Sequence, residues 1–121
     1  MRRGFFVQAT GGNTMPLYEK RTYQVVTGQM LDVIALYRDV AWPVIEEEGF
    51  APYLVGYFIS DTGPLHQLIH IWRFEDDADR RDFWKRLYAS ENFMKFAVQV
   101  RAKLHSQEVQ LMMGAPWGPT P

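Results

Sequence analysis

The sequence predicts an α+β sandwich, a four-stranded antiparallel sheet with helices on one face. Three observations carry this. The apolar pattern runs strand, helix, strand, strand, helix in two pieces, strand. A chain of 121 residues holds one domain core and not two. The short turn Asp61-Thr62-Gly63-Pro64 separates two apolar runs, as in an antiparallel hairpin.

Residues 17–26, rich in Tyr, Thr and Val, form the first strand. Met30, Ile34, Tyr37, Ala41 and Val44 then recur at helical steps, so 29–48 is an amphipathic helix. Pro43 lacks an N–H and should kink its last turns, and Gly49 stops it. Residues 53–60 are the second strand, with a bulge or close approach at Gly56. Leu65–Phe74 is the third. Asp76, Asp77 and Asp79 open the next helix, and Lys85 and Arg86 close it, as the helix dipole favours. Ser90 caps a further helix carrying Phe93, Phe96, Ala97, Val100 and Leu104. Residues 106–113 are a fourth strand with the weak alternation of an edge. Two split βαβ units in this order make the ferredoxin-like sandwich.

Composition narrows the function. Thirteen Lys and Arg against fourteen Asp and Glu leave no positive field, so no nucleic acid and no anionic membrane is expected as a partner. Without cysteine there are no disulfides, thiolate metal sites or cysteine nucleophiles. Aromatic residues reach 15%, and such rings need a core, a pocket or an interface. No apolar run is long enough to span a bilayer. Phe5–Val7 is too short for the core of a signal peptide, and a cytoplasmic location is expected. Residues 1–15 are read as a leader outside the core, with Met15 as an alternative start. Residues 16–113 are the domain, and 114–121 a Pro/Gly-rich tail whose Trp117 tucks back on the domain or a neighbouring subunit.

The third strand is apolar on both alternations, Leu65, Ile69 and Ile71 on one side and Leu68, Trp72 and Phe74 on the other. A half-solvated sheet would show a polar outer row. The expected partner is a second copy, giving a homodimer through the sheet face.

With the elements placed, the chain resembles the NIPSNAP family over about residues 17–113. Tyr18-Glu19-Lys20-Arg21-Thr22-Tyr23 is similar to its opening strand motif Y-E-L-R-T-Y. Gly28-Gln29-Met30 is similar to the G-K/R-M that opens its first helix. Gly63-Pro64-Leu65-His66-Gln67 through His70-Ile71-Trp72-Arg73-Phe74 is similar to its G-P-L-N hairpin and H-l-W-x-Y strand, and Ser106-Gln107-Glu108 to an element of its last strand. The resemblance implies a dimeric α/β barrel and little about chemistry. Lys20 stands in place of Leu and His66 in place of Asn, and both put a titratable group where the family has none.

The chemistry-bearing residues are few. His66 and His70, four apart on a strand, stand about 13 Å apart and do not share a metal, so no metal site is expected. His70 is the candidate catalytic acid or base; the other reading is a packed, hydrogen-bonded histidine. Arg21 and Tyr23 share a strand face and suit a carboxylate or enolate; the other reading pairs Arg21 with Glu19 or Glu108. Tyr57, His66 and Trp72 complete the candidate ligand-binding set, with Tyr57 and Trp72 doubling as core. Arg80, Arg81, Lys85 and Arg86 interleave with aspartates as a solvated helix face. No phosphate-binding glycine loop or nucleophile elbow is present, and no cofactor is expected. The function read from this set is the binding of a small aromatic or acyl ligand, extending to cofactor-free oxygenation or isomerisation. The alternative is a sensing or protein-interaction module without turnover.

Overall fold

The central strand of the sheet is the first one, β1 (Leu17–Val25). In the computed structural model, which describes residues 15–121, it pairs antiparallel on both sides. On one side lies β3 (Gln67–Phe74), which also pairs with β2 (Leu54–Ile59); on the other lies β4 (Leu104–Met113). The order is β2-β3-β1-β4, the ferredoxin-like arrangement. The leader and its Phe5–Val7 run lie outside the described residues.

The first helix shows what one proline does. It runs as α1 (Met30–Leu36), a π-helical turn (Tyr37–Ala41) and α2 (Trp42–Glu47). Pro43 offers no N–H, and its ring would collide with the carbonyl four residues back. Widening one turn relieves this. The Trp42 N–H accordingly donates to the carbonyl of Tyr37, five residues back. The expected kink is therefore a π-turn upstream of the proline. A short 3-10 turn (Ala51–Tyr53) leads into β2.

Gly56 sits at the expected irregularity, where the β2–β3 register shifts. A Cβ there would stand 3.1 Å from the ring of Phe58. The third strand starts later than expected, at Gln67. His66 adopts φ 61°, the left-handed region, which cannot continue a strand. Its carbonyl accepts from the Val25 N–H at 2.7 Å and closes the end of the β1–β3 ladder. His66 thus belongs to the turn, together with Leu65.

α3 (Asp77–Ala89) and α4 (Glu91–Arg101) begin on side-chain caps. Asp76 accepts from the Asp79 N–H at 2.8 Å, and Ser90 from the Phe93 N–H at 3.1 Å. The helices cover the sheet face that carries Leu68, His70, Trp72 and Phe74, all buried. Phe83 of α3 is fully buried, its ring within 4.8–5.5 Å of Phe50, Tyr53, Trp72, Phe74 and Trp84.

The outer face is apolar only in part. Phe58, Ile69 and Ile71 make its apolar half, since Phe58 pairs with Ile69. The outer rows of β1 and β4 are polar, with Lys20 beside Gln110 and Thr22 beside Glu108. The two-sided apolar character expected of the third strand holds for β3, is shared by β2 and is absent from β1 and β4. The tail returns to this sheet. The Gly114 N–H donates to the Pro16 carbonyl, and the Tyr18 hydroxyl to the Pro121 carbonyl at 2.6 Å. The Trp117 ring itself stays exposed.

Because Phe83 joins helix and sheet rings, Phe83→Ala should cost about 3–5 kcal/mol in urea unfolding. A loss below about 1 kcal/mol would show that the ring cluster is not the core's anchor.

Candidate functional site

Between the first helix and the β2–β3 side of the sheet lies a cavity of about 350 Å³. Ile34, Tyr37 and Trp42 form its helix wall, and Leu54, Tyr57 and Leu68 its sheet wall. Helical spacing and the extra residue of the π-turn bring Ile34, Tyr37 and Trp42 to one side. Arg38 stands at the cavity with its side chain largely exposed, forked onto Asp39 at 2.7 and 2.9 Å. Burial raises the Tyr37 and Tyr57 hydroxyl pKa values well above that of free phenol, so both stay protonated. They are donors, not bases.

Tyr37 also lines a second, smaller cavity of about 70 Å³, with Tyr23, Tyr88, Phe96, Arg101 and Gln107. The two cavities share this one ring.

His70 lines neither cavity. It is 3% exposed and enclosed by aromatic rings. Tyr57 stacks on it at 5.4 Å, Tyr23 meets it edge-on at 4.9 Å, and Tyr37 stands at 6.2 Å. The indole N–H of Trp72 donates to His70 Nδ1 at 2.7 Å. An indole N–H can only donate, so Nδ1 must be bare and the imidazole proton sits on Nε2. That Nε2 is buried without a partner. Burial, and then the charge of Arg21, lower the pKa from 6.5 to about 3. The neutral ring thus has no free lone pair for a general base.

Arg21 and Tyr23 stand together, Arg21 Nε donating to the Tyr23 hydroxyl at 3.1 Å. Of the two sequence readings of Arg21, the pair with Glu19 is formed, at 2.7 Å. Glu108 lies on the opposite face. Glu19 is fully buried and accepts two further hydrogen bonds, from Arg80 Nη1 at 3.1 Å and from Trp84 Nε1 at 3.0 Å. The Arg21 guanidinium also lies 4.2 Å over the Trp84 ring. Burial opposes the charge of Arg21, but Tyr23, Tyr88 and Glu19 outweigh it and its pKa is raised.

The sequence set is therefore dispersed. Tyr57 walls the large cavity, Tyr23 the small one, His70 and Trp72 form the packed layer between sheet and helices, and His66 sits in a turn. The reading of Arg80 as part of a solvated face is corrected. Its side chain is 18% exposed against 74% for Arg81, because it points to Glu19. Its spacing from Phe83, Trp84 and Leu87 on one helical face was the available signal. Tyr37 carried no chemical signal in the sequence, and Glu19 only that of a partner for Arg21.

Among the described residues no group of three His, Cys, Asp or Glu side chains is placed to hold a metal ion. No described helix is long and apolar enough to cross a membrane.

A family model described as NIPSNAP matches residues 18–119. The chain belongs to the NIPSNAP family. No curated protein matches it. A NIPSNAP family protein of Agrobacterium tumefaciens is similar in structure, with a TM-score of 0.81 and 24% identity, covering 88% of this chain and 99% of that one. A second NIPSNAP family protein of that organism, with unknown function, gives 0.80 and 28% identity over 88% and 94% of the two chains. An antibiotic biosynthesis monooxygenase shares the fold at 20% identity, with a TM-score of 0.58 and 83% and 99% coverage. On the NIPSNAP motifs, the H-l-W residues are the hydrogen-bonded His70–Trp72 pair, and Tyr18 to Tyr23 of the opening motif contribute Glu19, Arg21 and Tyr23.

His70 is neutral in the folded chain and protonated below about 6.5 in the unfolded one. Its contribution is intact above pH 6.5 and lost as pH falls toward about 3, at about 1.4 kcal/mol per pH unit. Urea titrations of the wild type and His70→Phe should differ by that slope in this window; parallel curves would contradict a depressed His70 pKa. Glu19→Gln leaves two arginines facing a neutral amide and should cost about 3–5 kcal/mol. An unchanged midpoint would mean that the cluster adds nothing.

Proposed function

We propose that this NIPSNAP protein binds a small, mostly apolar ligand of aromatic or acyl type in the 350 Å³ cavity, as a homodimer and without a cofactor. The cavity carries this reading. Its size suits a small molecule, and its wall of Tyr37, Trp42, Tyr57 and aliphatic side chains suits an apolar body. Two phenols offer donors to orient it. Binding without turnover is the favoured form, because the cavity walls supply no carboxylate and no imidazole. Oxygenation or isomerisation would rest on the shared fold with the monooxygenase, and fold alone does not assign chemistry.

The homodimer is supported by the apolar half of the outer sheet face. Phe58 is 50% exposed there, next to Ile69 and Ile71. Packing two such faces together removes them from water. Sedimentation at micromolar concentration should give a dimer, with Phe58→Lys shifting it to monomer; a wild-type monomer would end this part of the proposal.

For the ligand, 1-naphthol titration should perturb Trp42 fluorescence saturably. Ile34→Trp fills the cavity and should abolish the response while leaving the thermal midpoint within a few degrees. A response that persists in this variant, or no saturable response in the wild type, would overturn the cavity reading.

A further inference from the structure

We propose that His70 Nε2–H is the specificity-determining donor of this cavity, and that the ligand carries a hydrogen-bond acceptor of the carbonyl class which reaches it. This rests on the cavity reading above and deepens it.

Trp72 fixes the imidazole tautomer by donating to Nδ1 at 2.7 Å, so Nε2 carries the hydrogen and can only donate. Nε2 is also buried and unpartnered. A buried donor without an acceptor is costly, and native structures rarely leave one without a reason. Here the cost falls on a ring packed against two walls of the cavity. Tyr57 stacks on His70 at 5.4 Å and Tyr37 stands at 6.2 Å, and both line the 350 Å³ space. The imidazole ring is therefore one aromatic layer from the cavity.

Contact with the imidazole requires one ring of that layer, Tyr37, to move aside. Tyr37 is the first residue of the π-helical turn, a feature frequent at functional sites. Its ring also lines the 70 Å³ cavity, which gives it somewhere to go. Displaced that way, it would open the larger cavity to the imidazole. A ligand with an apolar body and one acceptor then meets, besides the two phenols and Arg38 of the wall, one donor whose direction is fixed and which has no partner of its own. An apolar analogue would fill the same space and leave Nε2–H unpaired. Sites of this kind reject the analogue lacking the polar group strongly, because the protein's own group is stranded. The ligand class is thus an aromatic or acyl carbonyl rather than a hydrocarbon. His70 enters as a binding residue and not as the acid or base the sequence suggested.

The test uses a shape-matched pair, acetophenone and ethylbenzene, with the full-length wild-type chain. Acetophenone should bind at least about tenfold more tightly, and its addition should shift the His70 Nε2 and Hε2 resonances while Nδ1 stays put. Ethylbenzene should leave Nε2 unmoved. The preference should survive Tyr37→Phe and Tyr57→Phe, which remove the competing hydroxyl donors and keep the rings. Equal affinities, or a carbonyl preference lost with either hydroxyl and without an Nε2 shift, would overturn the assignment and leave the cavity reading standing. Failure of both probes to bind would overturn the cavity reading and this inference with it.

Discussion

The carboxylate of Glu19 lies at the join of sheet and helix, fully buried on the central strand. It is held by Arg21 beside it, and by Arg80 and Trp84 from α3. A buried carboxylate is tolerated only with partners, and these partners come from two elements. Docking α3 onto β1 and forming the cluster are therefore one event. The same contacts immobilise Arg21, which holds the Tyr23 hydroxyl and opposes protonation of His70. The polar centre thus reaches the aromatic layer through one guanidinium. It supplies orientation more than net stability, since a paired charge in the interior about offsets its own desolvation.

Next to it, the aromatic layer separates two cavities of different character. The larger one is walled by rings and aliphatic side chains, and the smaller one mixes phenols with Arg101 and Gln107. Tyr37 belongs to both and opens the turn that Pro43, further along the same helix, distorts. The proline forces a π-turn, and the extra residue in that turn rotates the downstream side chains relative to an unbroken helix. A backbone restriction is in this way converted into the shape of a cavity.

The outer sheet face adds a second division. Its β2–β3 half is apolar, and its β1–β4 half carries Lys20, Thr22, Glu108 and Gln110. The tail lies back against the β1 end through Tyr18 and Pro121. A face divided like this favours one orientation of a second copy over others, because a sliding or flipped partner would set apolar residues on polar ones.

The order of elements, the antiparallel hairpin, the helix cap at Ser90, the bulge at Gly56 and the disturbance at Pro43 were all legible in the sequence. Each depends on residues near one another in the chain, through periodicity, φ restriction or a side chain bonding its own backbone. The motifs carrying the family resemblance were legible for the same reason. The later start of the third strand was not, because nothing local forbids His66 from a strand; its left-handed backbone goes with a bond its carbonyl accepts from the Val25 N–H, remote in the chain. The site was legible only as a list. His70, Trp72, Arg21, Tyr23 and Tyr57 were named, but not that Trp72 would occupy the lone pair a basic His70 needs. Nor was it visible that Arg80, 61 residues along the chain from Glu19, would pair with it. Those outcomes depend on register and helix docking. Packing places residues remote in sequence within hydrogen-bond reach, and burial then sets which of them keeps a proton or a charge.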